Sequence, residues 1–272
     1  AFPEGYKADH TPRAAVADLV RLEQLDDDKT FALSLYEPVG AGPEERRFKI
    51  YQRGGSVSLS QVLPVLSRLG VEVTDERPYE LRRADRSTVW IYDFGLRIPP
   101  AATGGDHLAD DARERFQDAF AAVWTGKAEN DGFNALVLGA GLTWRQAMVL
   151  RAYAKYLRQA GSTFSQDYME DTLRNNVHTT RLLVSLFEAR LSPERQRAGR
   201  ELVDALLEEA DAALDQVASL DEDRILRSFL TVIKATLRTN FFQKDAAGEP
   251  HDYVSMKFDP QAIPDLPAPR PA

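Results

Sequence analysis

Apolar and polar positions alternate from Phe31 onward. Phe31, Leu33 and Leu35 share one side of FALSLYEPVG, and Phe48 and Ile50 share one side of RRFKIYQRGG. That spacing of two predicts a pair of strands joined through the Gly42-Pro43 break. The period then lengthens. In SLSQVLPVLSRLG, Leu59, Val62, Leu63, Leu66 and Leu69 fall at helical spacing, with Ser58 as cap and Gly70 as stop, while Pro64 predicts a bend or a shortened helix. VEVTDERPYELRR and STVWIYDFGLRI return to strand character, so the order reads β-β-α-β-β. The charged Asp75-Glu76-Arg77 ahead of Pro78 marks an edge or a bulge.

Helical spacing dominates after the loop PPAATGGDHLAD. Phe116, Phe120, Val123 and Trp124 form one stripe, and a helix laid on the sheet would make the first unit an α+β sandwich with helices on one face. A second, all-helical unit follows. LTWRQAMVLRAYAKYLRQAG opens with Thr143 and Gln146 in capping-box spacing, and Ser165, Asn176 and Ser192-Pro193 supply further helix starts. Leu202, Leu206, Ala210 and Leu214 give the helix through Val217 a seam. In SLDEDRILRSFLTVIKATLRTNFFQ, Ile225, Phe229, Ile233, Leu237 and Phe241 run four apart, predicting one core helix to Gln243. Before the sheet, Val16, Leu19, Val20 and Leu22 share the face of a lead-in helix. The expected boundaries are 1–29 for the lead-in, 30–126 for the α+β domain, 127–243 for the helical domain and 244–272 for an extended linker with one short strand around Tyr253 to Phe258.

Composition narrows the chemistry. With 43% hydrophobic and 28% charged residues over 272 positions, the chain has enough apolar side chains for one or two sizeable cores. It contains no cysteine, which removes disulfides, thiolate zinc sites and a cysteine nucleophile, and fits a cytoplasmic setting. A net charge of -8 opposes nucleic acid, and no apolar run suggests a membrane span or a signal peptide. The absence of an initiator Met points to a piece of something longer.

Candidate chemistry is sparse. Arg53-Gly54-Gly55-Ser56 lies between a strand and a helix, where backbone N–H groups could hold a carboxylate effector; a simple tight turn is the alternative. Asp221 and Glu222 suit a carboxylate hydrolase, but Ser219 and Glu222 also have capping-box spacing, and acids belong in a first turn. Gly139 and Gly141 lack the third glycine of a dinucleotide loop, and His10, His107, His178 and His251 form no metal set. No catalytic, cofactor-binding or metal-binding residue is expected.

The wording of several segments is more specific than any of these motifs. SLDEDRILRSFLTVIKATLRTNFFQ, VSLSQVLPVLSRLGVEVTDERPYEL, VWIYDFGL, NALVLGAGLTWRQAMVLRAYAKYLRQAG and PDLPAPRP resemble, in the same order, the large-subunit NAD-specific glutamate dehydrogenases of bacteria. The resemblance implies an ACT-like α/β sandwich followed by a helical unit, as an internal fragment just before the catalytic domain. It implies a parent that interconverts L-glutamate with 2-oxoglutarate and ammonium using NAD. This region would be inactive alone and would regulate and support its own catalytic domain and the other subunits of a homo-oligomer. The ACT-like loop departs from the usual pattern, with Gln52 and Arg53 where an acid stands before the glycine. The alternative is a stand-alone ACT-type amino-acid sensor with a helical dimerisation arm.

Overall fold

The computed structural model describes residues 2–99, 109–194, 200–264, 266–268 and 270. The loop expected over 99–110, the helix start expected after Ser192-Pro193 and the end of PDLPAPRP lie partly or wholly outside the described residues. The chain divides into two units, Ala1–Ala121 and Ala122–Ala272.

The first unit begins with α1 (Glu4–Asp9) and α2 (Pro12–Glu23). Thr11 caps α2 by accepting from Ala14 N, and Pro12 occupies its first turn. The strands are β1 (Phe31–Tyr36), β2 (Glu45–Arg53), β3 (Glu72–Arg82) and β4 (Thr88–Arg97), with α3 (Leu59–Arg68) between β2 and β3. The elements follow in the expected order β-β-α-β-β, and the strands form one antiparallel sheet in the order β1-β2-β4-β3. β3 is an edge strand whose register shifts between Val73 and Asp75, matching the expectation from its charges and Pro78. α3 continues through Pro64 to Arg68 and stops at Gly70, whose φ of +84° suits glycine. Ser58 makes no side-chain cap; its hydroxyl pairs with that of Ser60.

Both faces of this sheet are covered, which corrects the expectation of helices on one face. On one side Phe48 meets Phe116 and Phe120 of α4 (Asp110–Trp124) with ring centroids 5.4 and 4.9 Å apart. Val57 N, just ahead of α3, donates to Tyr92 Oη on the same side. On the other side Tyr51, Ile91, Tyr79 and Val89 bury against Tyr6, Leu22 and Leu25. The central strands β2 and β4 are buried on both faces, and such strands need two layers. The lead-in helix also turns differently. Val16, Leu19 and Val20 are exposed, while Asp18 and Leu22 face the sheet.

The second unit is built from α5 (Leu136–Gly139), α6 (Trp144–Gln159), α7 (Gln166–Asn175), α8 (Val177–Leu191), α9 (Arg200–Leu214) and α10 (Leu220–Ala235). Thr143 and Gln146 make the reciprocal capping box that their spacing predicts. One apolar core joins Leu150 and Tyr153 of α6, Leu173 of α7, Phe187 of α8 and Phe229 of α10. α10 ends earlier than its four-residue spacing suggests. At Thr236 the chain becomes β5 (Thr236–Thr239), paired with β6 (Met256–Phe258). Thr236 Oγ1 donates to Val232 O at 2.7 Å and lies 2.9 Å from Tyr153 Oη, and Asp259 N donates to Ala235 O. These bonds satisfy the helix end, and Leu237 points outward, 57% exposed. Among the described residues no helix is long and apolar enough to cross a membrane.

Candidate functional site

The register makes Lys49 and Asp93 neighbours in the ladder, as it does Tyr51 and Ile91, and side chains alternate between the two faces along β2 and β4. That alternation places Arg47, Lys49 and Tyr51 on the face covered by α1 and α2. Two carboxylates are buried there. Asp18 reaches in from α2 and accepts from Lys49 Nζ and Tyr51 Oη, both at 2.6 Å, and from Tyr6 Oη. Asp93 accepts from Arg47 Nε at 2.7 Å and Tyr36 Oη at 2.9 Å, and His10 Nε2 lies 2.9 Å from it. Lys49 Nζ is 4.0 Å from Asp93, so one ammonium serves both acids. Removing an ion from water costs several kcal/mol, and these multiple hydrogen bonds are what offset that cost.

The titration of these groups follows from their neighbours. Burial pushes the Asp93 carboxyl up, but the His10 hydrogen bond and the charges of Arg47 and Lys49 outweigh it, leaving Asp93 below the usual carboxylate range. Burial first, then the nearby Asp18 carboxylate, drives the Tyr51 hydroxyl well above its ordinary value; burial and Asp93 do the same to Tyr36. Arg47 also bridges to Asp75 on the edge strand at 3.0 Å. That bridge passes over Gly95, which stands opposite both residues in the ladder; a Cβ there would collide with the Asp75 carboxylate.

Arg47 and Asp93 also line a recess of about 860 Å³, with Arg13 of α2, Glu45 at the start of β2, Asp75 and Arg97 among its walls. Its size is that of a small-molecule site. The expected effector residues are elsewhere. Arg53, Gly54, Gly55 and Ser56 follow the far end of β2, roughly 25 Å along the strand from Glu45 at about 3.3 Å per residue. They stay together as a turn in which Gly54, Gly55 and Ser56 are exposed and Arg53 is half-buried, with Gly54 at φ +91°. Arg53 pairs with Asp27 at 3.0 Å, Gly54 N donates to Thr88 O at 3.0 Å, and Val57 N is taken by Tyr92.

The other candidates resolve into structure. Ser219 accepts from Glu222 N as a cap, but the Glu222 carboxylate turns away to accept from Asn175 and Asn176 at 3.0 and 3.1 Å, clamping the α7–α8 corner. Asp221 pairs with Arg224 within the same helix. Gly139 ends the short helix α5 and Gly141 follows with φ +67°, so no strand precedes this turn and its residues do not fit a dinucleotide. Among the described residues no group of three or more metal-ligating side chains gathers. His10 is the histidine whose role spacing missed, and Asp18, Lys49 and Asp93 were missed with it. The available signal was charge inside otherwise apolar strands, at Lys49 and Asp93.

Comparison with known proteins accounts for nearly all of the chain. Residues 1–25 match the family described as glutamate dehydrogenase, helical motif 2, and residues 30–110 match glutamate dehydrogenase, ACT3 domain. Residues 128–193 match glutamate dehydrogenase, helical motif 3, and residues 209–272 match the bacterial NAD-glutamate dehydrogenase catalytic domain. The last match begins well before the stretch expected as a linker. Proteins named NAD-specific glutamate dehydrogenase from Halomonas elongata, Pseudomonas aeruginosa and Mycobacterium tuberculosis are 41%, 42% and 41% identical over 100%, 99% and 100% of this chain. The chain spans about 17% of the length of each of these relatives. With the ACT3 match falling on the four-stranded sheet and the helical motif on α6 to α8, the chain belongs to the bacterial NAD-specific glutamate dehydrogenase family.

Proposed function

We propose that this chain is a non-catalytic regulatory and scaffolding region of a large cytoplasmic NAD-dependent glutamate dehydrogenase. The parent interconverts L-glutamate and 2-oxoglutarate plus ammonium, and this region acts on its own catalytic domain within a homo-oligomer. One observation carries the scaffolding role. Leu150, Tyr153 and Phe187, from the stretch matching helical motif 3, share a single buried core with Ile225, Phe229 and Ile233, from the stretch matching the catalytic domain. A helical motif fused to the first helix of a catalytic domain fixes that helix in place and adds its own burial, about 1.5 to 3 kcal/mol per large side chain, to the domain's stability. The same match to a catalytic domain disfavours the stand-alone sensor. The region supplies no residue for NAD, and no catalytic step is assigned to it.

The test is glutamate-dependent NADH formation, followed by absorbance. The full-length enzyme should turn over, and the 272-residue chain alone should not. Turnover by the chain alone, or none by the full-length enzyme, would end this reading.

A further inference from the structure

The β5–β6 ribbon carries a side-chain pairing that its own folding does not explain. Met256 and Phe258 pack against the core, Phe258 stacking on Tyr156 at 4.1 Å, so Lys257 between them projects from the outer face. In a regular ladder Leu237 would stand opposite Lys257, and Arg238 opposite Met256. The register shift between Thr236 and Arg238 makes Leu237 an extra residue and brings Arg238 directly opposite Lys257 instead. Cβ atoms of opposed residues lie about 4.5 to 5.5 Å apart, and like charges so placed destabilise a ribbon. Both side chains are exposed, and neither makes an ion pair or a side-chain hydrogen bond among the described residues. Together they line a hollow of about 290 Å³ that also takes in Gln243 and Ser255 and has no acidic residue in its walls, in a chain of net charge -8.

We propose that this hollow binds a phosphate dianion, free or as a phosphate monoester, with Arg238 and Lys257 on its oxygens and Ser255 and Gln243 as further donors. A phosphoryl group carries close to two negative charges at neutral pH, which matches two opposed cations; a lone carboxylate would leave one of them uncompensated. The arginine fork can take two oxygens and the lysine ammonium a third. Bound phosphate thereby turns the repulsion across the ribbon into attraction. The hollow lies at the lower limit of ligand-site volumes, so it suits a phosphoryl group and is too small for a dinucleotide such as the NAD of the proposed parent. The site is independent of the regulatory reading above.

The test is calorimetric titration of the full-length enzyme, without NAD and at low ionic strength, with inorganic phosphate, glycerol 3-phosphate and acetate. Phosphate should bind once per chain and more weakly as salt is added, and acetate should bind at least tenfold more weakly than phosphate. Glycerol 3-phosphate binding more tightly than phosphate identifies a monoester as the source, and the reverse order identifies the free ion; either supports the site. Arg238→Gln and Lys257→Gln, both at exposed positions, should each cost about tenfold in affinity for phosphate, while Lys257→Arg, which keeps the charge, restores it. Arg224→Gln, which removes a surface cation of α10 already paired with Asp221, should change nothing. No phosphate binding by the wild type, equal affinities in wild type, Arg238→Gln and Lys257→Gln, or acetate binding as tightly as phosphate would each overturn the proposal.

Discussion

The two units bury carboxylates in opposite ways. On the sheet of the first, Asp18 and Asp93 are surrounded by Lys49, Arg47 and tyrosine hydroxyls, so the interior layer beneath α1 and α2 is held by charge. In the second, the core of α6, α7, α8 and α10 is apolar, and Glu170 stands at its margin with no ion pair among the described residues. It accepts instead from Gly132 N at 3.0 Å and Gln166 Nε2 at 2.8 Å. Burial, partly offset by the Gln166 hydrogen bond, leaves its carboxyl above the usual range, the reverse of Asp93. The lesson is that depth alone does not decide the state of a buried acid; the sign of its neighbours does.

That contrast breaks most sharply at Lys49. Lys49→Met leaves Asp18 and Asp93 buried with fewer cations and should destabilise the first unit by about 3 to 5 kcal/mol in urea unfolding. Adding Asp18→Leu should recover much of that loss, because a buried pair replaced by apolar groups is close to neutral. If the double variant is no more stable than the single one, charge is not what holds this layer. In the second unit the comparable lesion is a cavity: Phe229→Ala should cost about 3 to 5 kcal/mol, with no charge substitution able to restore it.

Gly95→Ala comes next. The added methyl meets the Asp75 carboxylate and forces the Arg47 bridge aside, for a loss of about 1 to 3 kcal/mol by the same unfolding measurement. An unchanged midpoint would mean that the bridge over Gly95 moves freely.

Acid should then separate the two units. Asp93 has a lowered folded pKa, so its contribution is complete above the ordinary carboxylate range and is lost as pH falls through the depressed folded value. Glu170 has a raised folded pKa, so its contribution is greatest below that range and is lost as pH rises through it. Amide exchange from neutral pH to about pH 3 should show β4 losing protection through Asp93, a loss that Asp93→Asn flattens. The smallest effect belongs to Glu170→Gln, which keeps an acceptor for Gly132 without a charge to desolvate; its unfolding midpoint at neutral pH should be equal to or slightly above wild type.

Much of this architecture is legible in the letters. The alternation in FALSLYEPVG and RRFKIYQRGG marks β1 and β2, and Thr143 with Gln146 marks the start of α6, because those signals are local. Three features resist the same reading for physical reasons. Asp18 is a poor core residue by hydropathy, so the apolar Val16, Leu19 and Val20 indicate the wrong face of α2; its burial depends on Lys49, thirty-one positions away. Leu237 and Phe241 keep helical spacing past Ala235, but pairing with β6 takes the chain into a strand. The recess is assembled from α2, the start of β2 and the end of β4, whereas Gly54 and Gly55 draw attention because glycines are visible one at a time.

The junction of Ala235 and Thr236 has a mechanical consequence. α10 passes into β5 with no residue between them, and the joint is pinned by Tyr153 and by the amide of Asp259. A hinge needs slack dihedrals to absorb rotation, and here few are available. A shift of the helix along its axis therefore displaces the β5–β6 ribbon by a comparable distance, in the manner of a push-rod.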